Sequence, residues 1–91
     1  MHVRTIQTLE IIMKGAANKK RIAIISLLSR QNDLDVELIA EKLNISYPSA
    51  AAHLQKMHAA DIVSKEDDGY FVLHRLTTRG KQLNSLFRRL C

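Results

Sequence analysis

Cysteine occurs once in this chain of 91 residues, at the last position, Cys91, and no apolar run approaches the length needed to cross a bilayer. A lone thiol forms no internal disulfide, which agrees with a reducing compartment. The missing run excludes a membrane-spanning helix in these residues. Only three glycines are present, and they form no phosphate-cradling loop. The nine acids pair across no recognisable cleft, and no nucleophile clusters with a base, so the sequence argues against an enzyme. Low-complexity tracts, linkers and internal repeats are absent too. The opening MHVRTIQTLEIIMKG has polar residues through its apolar periodicity and no small-residue cleavage site. It is therefore not expected to be a secretory signal, and the cytoplasm is the expected location.

What remains is 46% hydrophobic and 25% charged, the make-up of an ordinary globular domain, expected to be a single one over residues 1–91. A chain this short buries only about 60–65% of its unfolded surface, so self-association would help it. The net charge of +5 favours a polyanionic partner. Its distribution complicates that inference. Residues 1–30 carry six Lys or Arg against one Glu, residues 31–68 three against eight acids, and residues 69–91 five against none.

The acidic middle contains the most informative segment, DVELIAEKLNISYPSAAAHLQKMHAADI. Val36, Ile39, Ala40 and Leu43 form a one-sided stripe opposite Glu37, Glu41 and Lys42, which predicts a helix. Asp35 can cap it, with Leu34 packing forward on Ile39. Asn44 tolerates the left-handed backbone that stops a helix. Ser46 then caps a second helix, and Pro48 fits its first turn. In this second helix Ala50, Leu54 and Met57 form the buried stripe. Tyr47, Ser49, Ala52, His53 and Lys56 fall on the outer side, several near the amino end that a recognition helix pushes into a major groove. Residues 35–60 thus have the layout of a DNA-reading helix-turn-helix.

Around this motif, Val3, Ile6, Leu9, Met13 and Ala16 predict a helix over residues 3–16, with Gly15 expected to fray its end. Asn18 caps a strongly apolar helix, KKRIAIISLLSR, with Ile22, Ile24, Ile25, Leu27 and Leu28 central to the core. IVSKE and YFVLHRL, joined by Asp67, Asp68 and Gly69, predict a β-hairpin within residues 62–76. Thr77 caps a closing helix over residues 78–90, with Leu83, Leu86, Phe87 and Leu90 on one stripe. The fold class is mainly α with a small β-hairpin wing, in the order α-α-α-α-β-β-α.

Residues 18–76 resemble the ArsR-type winged-helix repressors of prokaryotes. The resemblance rests on NKKRIAIISLLS, LIAEKLNISYPSAAAHLQKMHAADIV and GYFVLHRL. The segment LTTRGKQL, residues 76–83, is closer to the strand-to-helix junction of MarR-like winged helices. The resemblance implies a homodimer paired through its terminal helices, two recognition helices in successive major grooves of double-stranded DNA, and wings on the flanking backbone. The stripes agree in part, since Ile6, Leu9 and Met13 with Leu83, Leu86, Phe87 and Leu90 exceed what so small a core can cover.

Several candidate residues have two readings. Ser46 and Ser49 can hold a phosphate at the helix start, or Ser46 can serve only as a cap. Tyr47 can meet a base edge or phosphate, or cover the turn. His53 aligns with a histidine frequent near the DNA face of the family, yet a lone helical histidine is more often packed or solvated. Lys56 suits phosphate or solvent. Ala50, Ala51 and Ala52 offer no hydrogen bonds, so readout would rest on thymine methyl groups and DNA shape. Lys19 and Lys20, with Arg21, sit either near the DNA backbone or at a solvated helix end. The wing tip, Glu66 to Asp68, is acidic where many relatives are basic, which leaves Lys65 and Arg75 as its candidate DNA contacts.

Metal sensing is not expected. Where the family places a cysteine pair the chain reads DLDVELIA, and where other members place acids and histidines on the closing helix it reads GKQLNSLFRRLC. His53 and His58, five residues apart, do not share a helix face. No cofactor is expected, and any effector is unidentified. The sequence therefore supports a dimeric, sequence-selective DNA-binding regulator, with repression the expected mode. A protein-interaction module using the acidic motif surface, or a DNA-coating protein without sequence choice, are the alternatives.

Overall fold

A computed structural model describes residues 1–91 as five helices and one hairpin: α1 (Val3–Ala16), α2 (Lys19–Arg30), α3 (Val36–Leu43), α4 (Tyr47–Ala59), β1 (Val63–Asp67), β2 (Val72–Leu76) and α5 (Thr78–Leu90). The local signals act where the sequence puts them. The Asn18 carboxamide accepts from the amides of Lys20 and Arg21 at 2.8 and 3.4 Å, and the Asp35 carboxylate accepts from Leu38 N–H at 2.8 Å. The Ser46 hydroxyl accepts from Ser49 N–H at 3.2 Å, and Thr77 from Gly80 N–H at 3.1 Å. Each satisfies an amide that the first helical turn leaves free. His2 caps α1, its Nδ1 accepting from Arg4 N–H at 3.1 Å.

Between α3 and α4, Asn44 takes φ 54° and ψ 47°. Ile45 N–H reaches back to the Ala40 carbonyl at 3.0 Å and Asn44 N–H to Glu41 at 3.2 Å, the paired bonds that close a helix on a left-handed residue. The core is one cluster with Ile24, Ile25 and Leu28 of α2 at its centre, packed on Ile39, Leu54, Met57 and Ile62. Ile22, placed in that core by composition, is exposed.

Two glycines permit close approaches. Gly15 is buried rather than frayed: a Cβ there would lie 2.5 Å from the Cβ of Ala60, so α1 rests directly against the end of α4. At Gly80 a Cβ would collide with the backbone carbonyl of Ile62. The same joint is tied by the Thr77 hydroxyl, 2.7 Å from the Asp61 carbonyl, and by Arg79 Nη1 donating to the Ala60 carbonyl at 3.0 Å. Together these set α5 against the α4–β1 corner.

The hairpin pairs Val63 with Leu76 through to Asp67 with Val72. Asp67 therefore belongs to the strand rather than the turn, and Tyr70 and Phe71, read as strand, lie in the turn. The cause is side-chain chemistry: Asp67 Oδ1 accepts from Gly69 N–H at 2.8 Å and Asp68 Oδ1 from Phe71 N–H at 2.9 Å, with Gly69 at φ 103°. Leu34, ahead of α3, bridges to β2 at His74. His74 is 2% exposed and its Nδ1 lies 3.2 Å from the Leu34 carbonyl, which can only accept, so Nδ1 carries the proton. Burial, chiefly, pushes this imidazole below its ordinary pKa, helped by Lys65 and His58 and opposed by backbone hydrogen bonds.

Leu83 of α5, assigned by its stripe to a pairing surface, is a core residue at 6% exposure, and Phe87 packs partly on the same core. By contrast Val3, Ile6, Leu9, Ile11 and Met13 of α1, and Leu86 and Leu90 of α5, are exposed.

Gly80→Ala is expected to cost about 1–3 kcal/mol in urea unfolding, because backbone rather than a flexible side chain must move. Since the folded protein holds His74 below the unfolded value of about 6.5, its contribution is complete above that pH and lost as pH falls through the lower folded value. Stability should therefore drop as pH falls below about 6.5, by at most about 1.4 kcal/mol per pH unit from this group, with a shallower slope in His74→Gln.

Candidate nucleic-acid interface

The outer side of α4 is reached by building outward from its cap. Ser46 is exposed and its oxygen is engaged by Ser49 N–H, while Ser49 itself is half-buried. Tyr47 is 56% exposed, and Ala52 and Lys56 are also open to solvent. Ala50 is fully buried and so offers no methyl group to a duplex, and Ala51 is half-buried. Of the three alanines, Ala52 is therefore the exposed one.

His53 is half-buried, and three cationic groups act on it from two helices. Its pKa is pushed down first by burial, then by the charges of Arg21, Lys20 and Lys56. No carboxylate offsets them in that balance. Lys19 and Lys20 are exposed on the first turn of α2, and Arg21 beside them is half-buried, with its Nε shielded from solvent and lacking any acceptor within the protein. A buried guanidinium N–H without a partner is costly unless something supplies the acceptor. In sequence Arg21 is continuous with the two lysines. The helical spacing that turns it inward toward α4 is the signal that separates it from them.

The wing divides the two basic residues assigned to it. Alternation puts Lys65 and His74, a cross-strand pair, on the face toward α3 and α4, and Ser64 and Arg75 on the other. Lys65 is exposed. Arg75 is held by Asp33, its Nε and Nη2 lying 2.9 and 2.6 Å from Asp33 Oδ1, and this pairing raises its pKa. Asp33 and Arg75 are both exposed, so the pair contributes little stability. It does direct the guanidinium away from the groove face.

No three His, Cys, Asp or Glu side chains sit together as metal ligands would. None of the helices is long and apolar enough to cross a membrane.

Comparison with known proteins agrees with this geometry. Residues 18–65, which hold α2, the helix-turn-helix and the start of the wing, match the model of the bacterial regulatory protein arsR family. Over 75 residues the chain is 31% identical to the arsenic resistance transcriptional regulator ArsR1 of Pseudomonas putida, covering 82% of this chain but only 59% of that regulator. Over 67 residues it is 33% identical to the transcriptional repressor SdpR of Bacillus subtilis, covering 74% of this chain and 73% of the repressor. The fold superimposes with a TM-score of 0.87 on the homodimeric winged helix-turn-helix DNA-binding domain of Mb0332 from Mycobacterium bovis, at 24% identity, covering 96% of this chain and 81% of that one. The chain belongs to the ArsR family of bacterial transcriptional regulators, with the DNA-binding winged helix as its fold.

Proposed function

We propose that the protein is a dimeric, sequence-selective repressor that occludes a promoter by laying α4 in the major groove of double-stranded DNA, and that it works without metal-sensing ligands. The observation that carries this reading is the open outer side of α4. Tyr47, Ala52 and Lys56 are exposed there, while α1 meets the opposite, carboxyl end of the helix at Ala60. Tyr47 and Ala52 are the base-edge candidates, with Ser46 and Ser49 at the amino end of the helix for phosphate. Lys19, Lys20, Arg21, His53 and Lys56 form the phosphate contact, and a phosphate oxygen supplies the acceptor that Arg21 Nε lacks. On the wing, Lys65 is the free basic residue, and Arg75 takes part only if Asp33 releases it.

Dimerisation is supported by the apolar residues that the protomer leaves exposed, Ile6, Leu9 and Met13 on α1 with Leu86 and Leu90 on α5. Leu83 and Phe87 instead brace α5 from inside. Mb0332, of the same fold, is described as homodimeric, and SdpR as a repressor.

In a fluorescence polarisation titration on an inverted-repeat duplex, affinity should fall on the order of 10³-fold between about 50 and 200 mM salt. Reversing Lys19, Lys20 and Lys56 to glutamate should abolish binding, and Leu9→Asp with Leu90→Asp should give a monomer by light scattering that no longer binds the repeat. A specific-to-random affinity ratio near one would leave only sequence-independent coating.

Because His53 is held below its ordinary pKa in the free protein and a phosphate favours its charged form, binding should take up a proton. Affinity should rise as pH falls from about 7.5 to 6, and His53→Gln should flatten that dependence while Lys65→Gln leaves it intact.

A further inference from the structure

The chain has four aromatic residues, two Tyr and two Phe, and three of them surround one groove. Tyr47 on the first turn of α4 faces Tyr70 and Phe71 on the wing turn, across a space of about 550 Å³. Phe87 alone lies elsewhere, against the core. The three are 56%, 96% and 50% exposed, an arrangement that leaves aromatic surface in water without a partner in the protomer. Val36, Leu54 and Val72 add apolar lining. Seven of the twelve lining residues are apolar, and the volume falls within the range of small-molecule sites.

The wing aromatics are not loosely held. The two Asx hydrogen bonds of Asp67 and Asp68, with Asp68 N–H donating to the Phe71 carbonyl at 3.0 Å, fix the turn that carries them. Beneath, the His74–Leu34 tie fixes the wing to the start of α3. The groove is therefore pre-formed, which lowers the cost of filling it.

Its charge selects the occupant. Asp35 and Glu37 line it against one ammonium, Lys65, and the buried His74 is kept toward neutrality. Asp35 is occupied as the cap of α3, while Glu37 is exposed with no salt-bridge partner. Carboxylates in the lining disfavour a DNA phosphate inside it, so the duplex contact proposed above shares only Tyr47 and Lys65 with this groove. Aromatic faces beside carboxylates instead favour a cation that sheds water readily.

We infer that the groove between α4 and the wing is an effector site for a lipophilic organic cation, an apolar body bearing one delocalised or quaternary positive charge. Such a ligand needs no hydrogen-bond acceptor, stacks on Tyr47 and Phe71, and is drawn in by Glu37. When bound it covers Tyr47 and bridges α4 to the wing, so it opposes DNA binding. That last consequence rests on the repressor reading; occupancy of the groove does not.

The test uses two isosteric probes of opposite charge, tetraphenylphosphonium and tetraphenylborate, on the full chain without DNA. The chain has no tryptophan, and its two tyrosines, Tyr47 and Tyr70, both line the groove, so tyrosine fluorescence reports on this site alone alongside calorimetry. The cation should bind at least about tenfold tighter than the anion. Phe71→Ala should weaken the cation about tenfold and Glu37→Gln about threefold, each with an unchanged melting temperature because both side chains are exposed. Equal or tighter binding of the borate, no cation binding at millimolar concentration, or binding indifferent to Phe71→Ala would overturn the site. If the cation binds and the protein binds DNA but is not released by the cation, the effector role is overturned. If the protein binds no DNA at all, the repressor reading fails while the cation result still decides the site.

Discussion

The placement of the wing depends on the hydrogen bonds exchanged between Leu34 and His74. Leu34 O receives both the backbone N–H of His74, at 2.8 Å, and its ring Nδ1, at 3.2 Å, while the Asp33 and Leu34 amides point back to the His74 carbonyl. This junction joins the hairpin to the residue pair preceding α3, and so sets the wing at a fixed distance from the helix-turn-helix. A two-stranded hairpin is marginal in isolation, and the Leu34 bridge gives it a third strand-like partner on a buried face. The imidazole must be buried to make this contact, and burial is what drives its proton affinity down.

With the wing held there, the molecule separates its charges by location. The amino end of α2 and the outer side of α4 bring Lys20, Arg21 and Lys56 together around His53. Acids concentrate across the groove on α3 and at the wing tip. A uniform basic surface would attract any polyanion, whereas this division gives the α2–α4 side and the acid-lined groove opposite electrostatic character. The first helix of the motif is acidic, whereas the cationic cluster lies on α2 and α4.

Helix starts and stops were legible because capping is local. Asn18, Asp35, Ser46 and Thr77 each bond an amide two or three residues ahead, and Asn44 reverses the chain through its own backbone angles. The stripe of α4 was equally legible, since Ala50, Leu54 and Met57 all face the core. What was not legible depends on partners far away in the chain. His74 meets a residue 40 positions distant and Arg75 one 42 positions distant. Gly15 looked like a weak helix end and Gly80 drew no attention, because the atoms that require their missing side chains belong to Ala60 and Ile62.

The amino-acid order by itself determined the elements, their caps and the family motif, through interactions that span a helical turn. Tertiary structure alone decided how those elements are used. Periodicity marks Leu83, Leu86 and Leu90 as one apolar face, yet only packing against α2 and β2 buries the first and leaves the last 72% exposed. It likewise gathers Tyr47, Tyr70 and Phe71 into one groove from segments more than twenty residues apart. A periodic pattern states which side of an element is apolar; what lies opposite that side follows only from the folded chain.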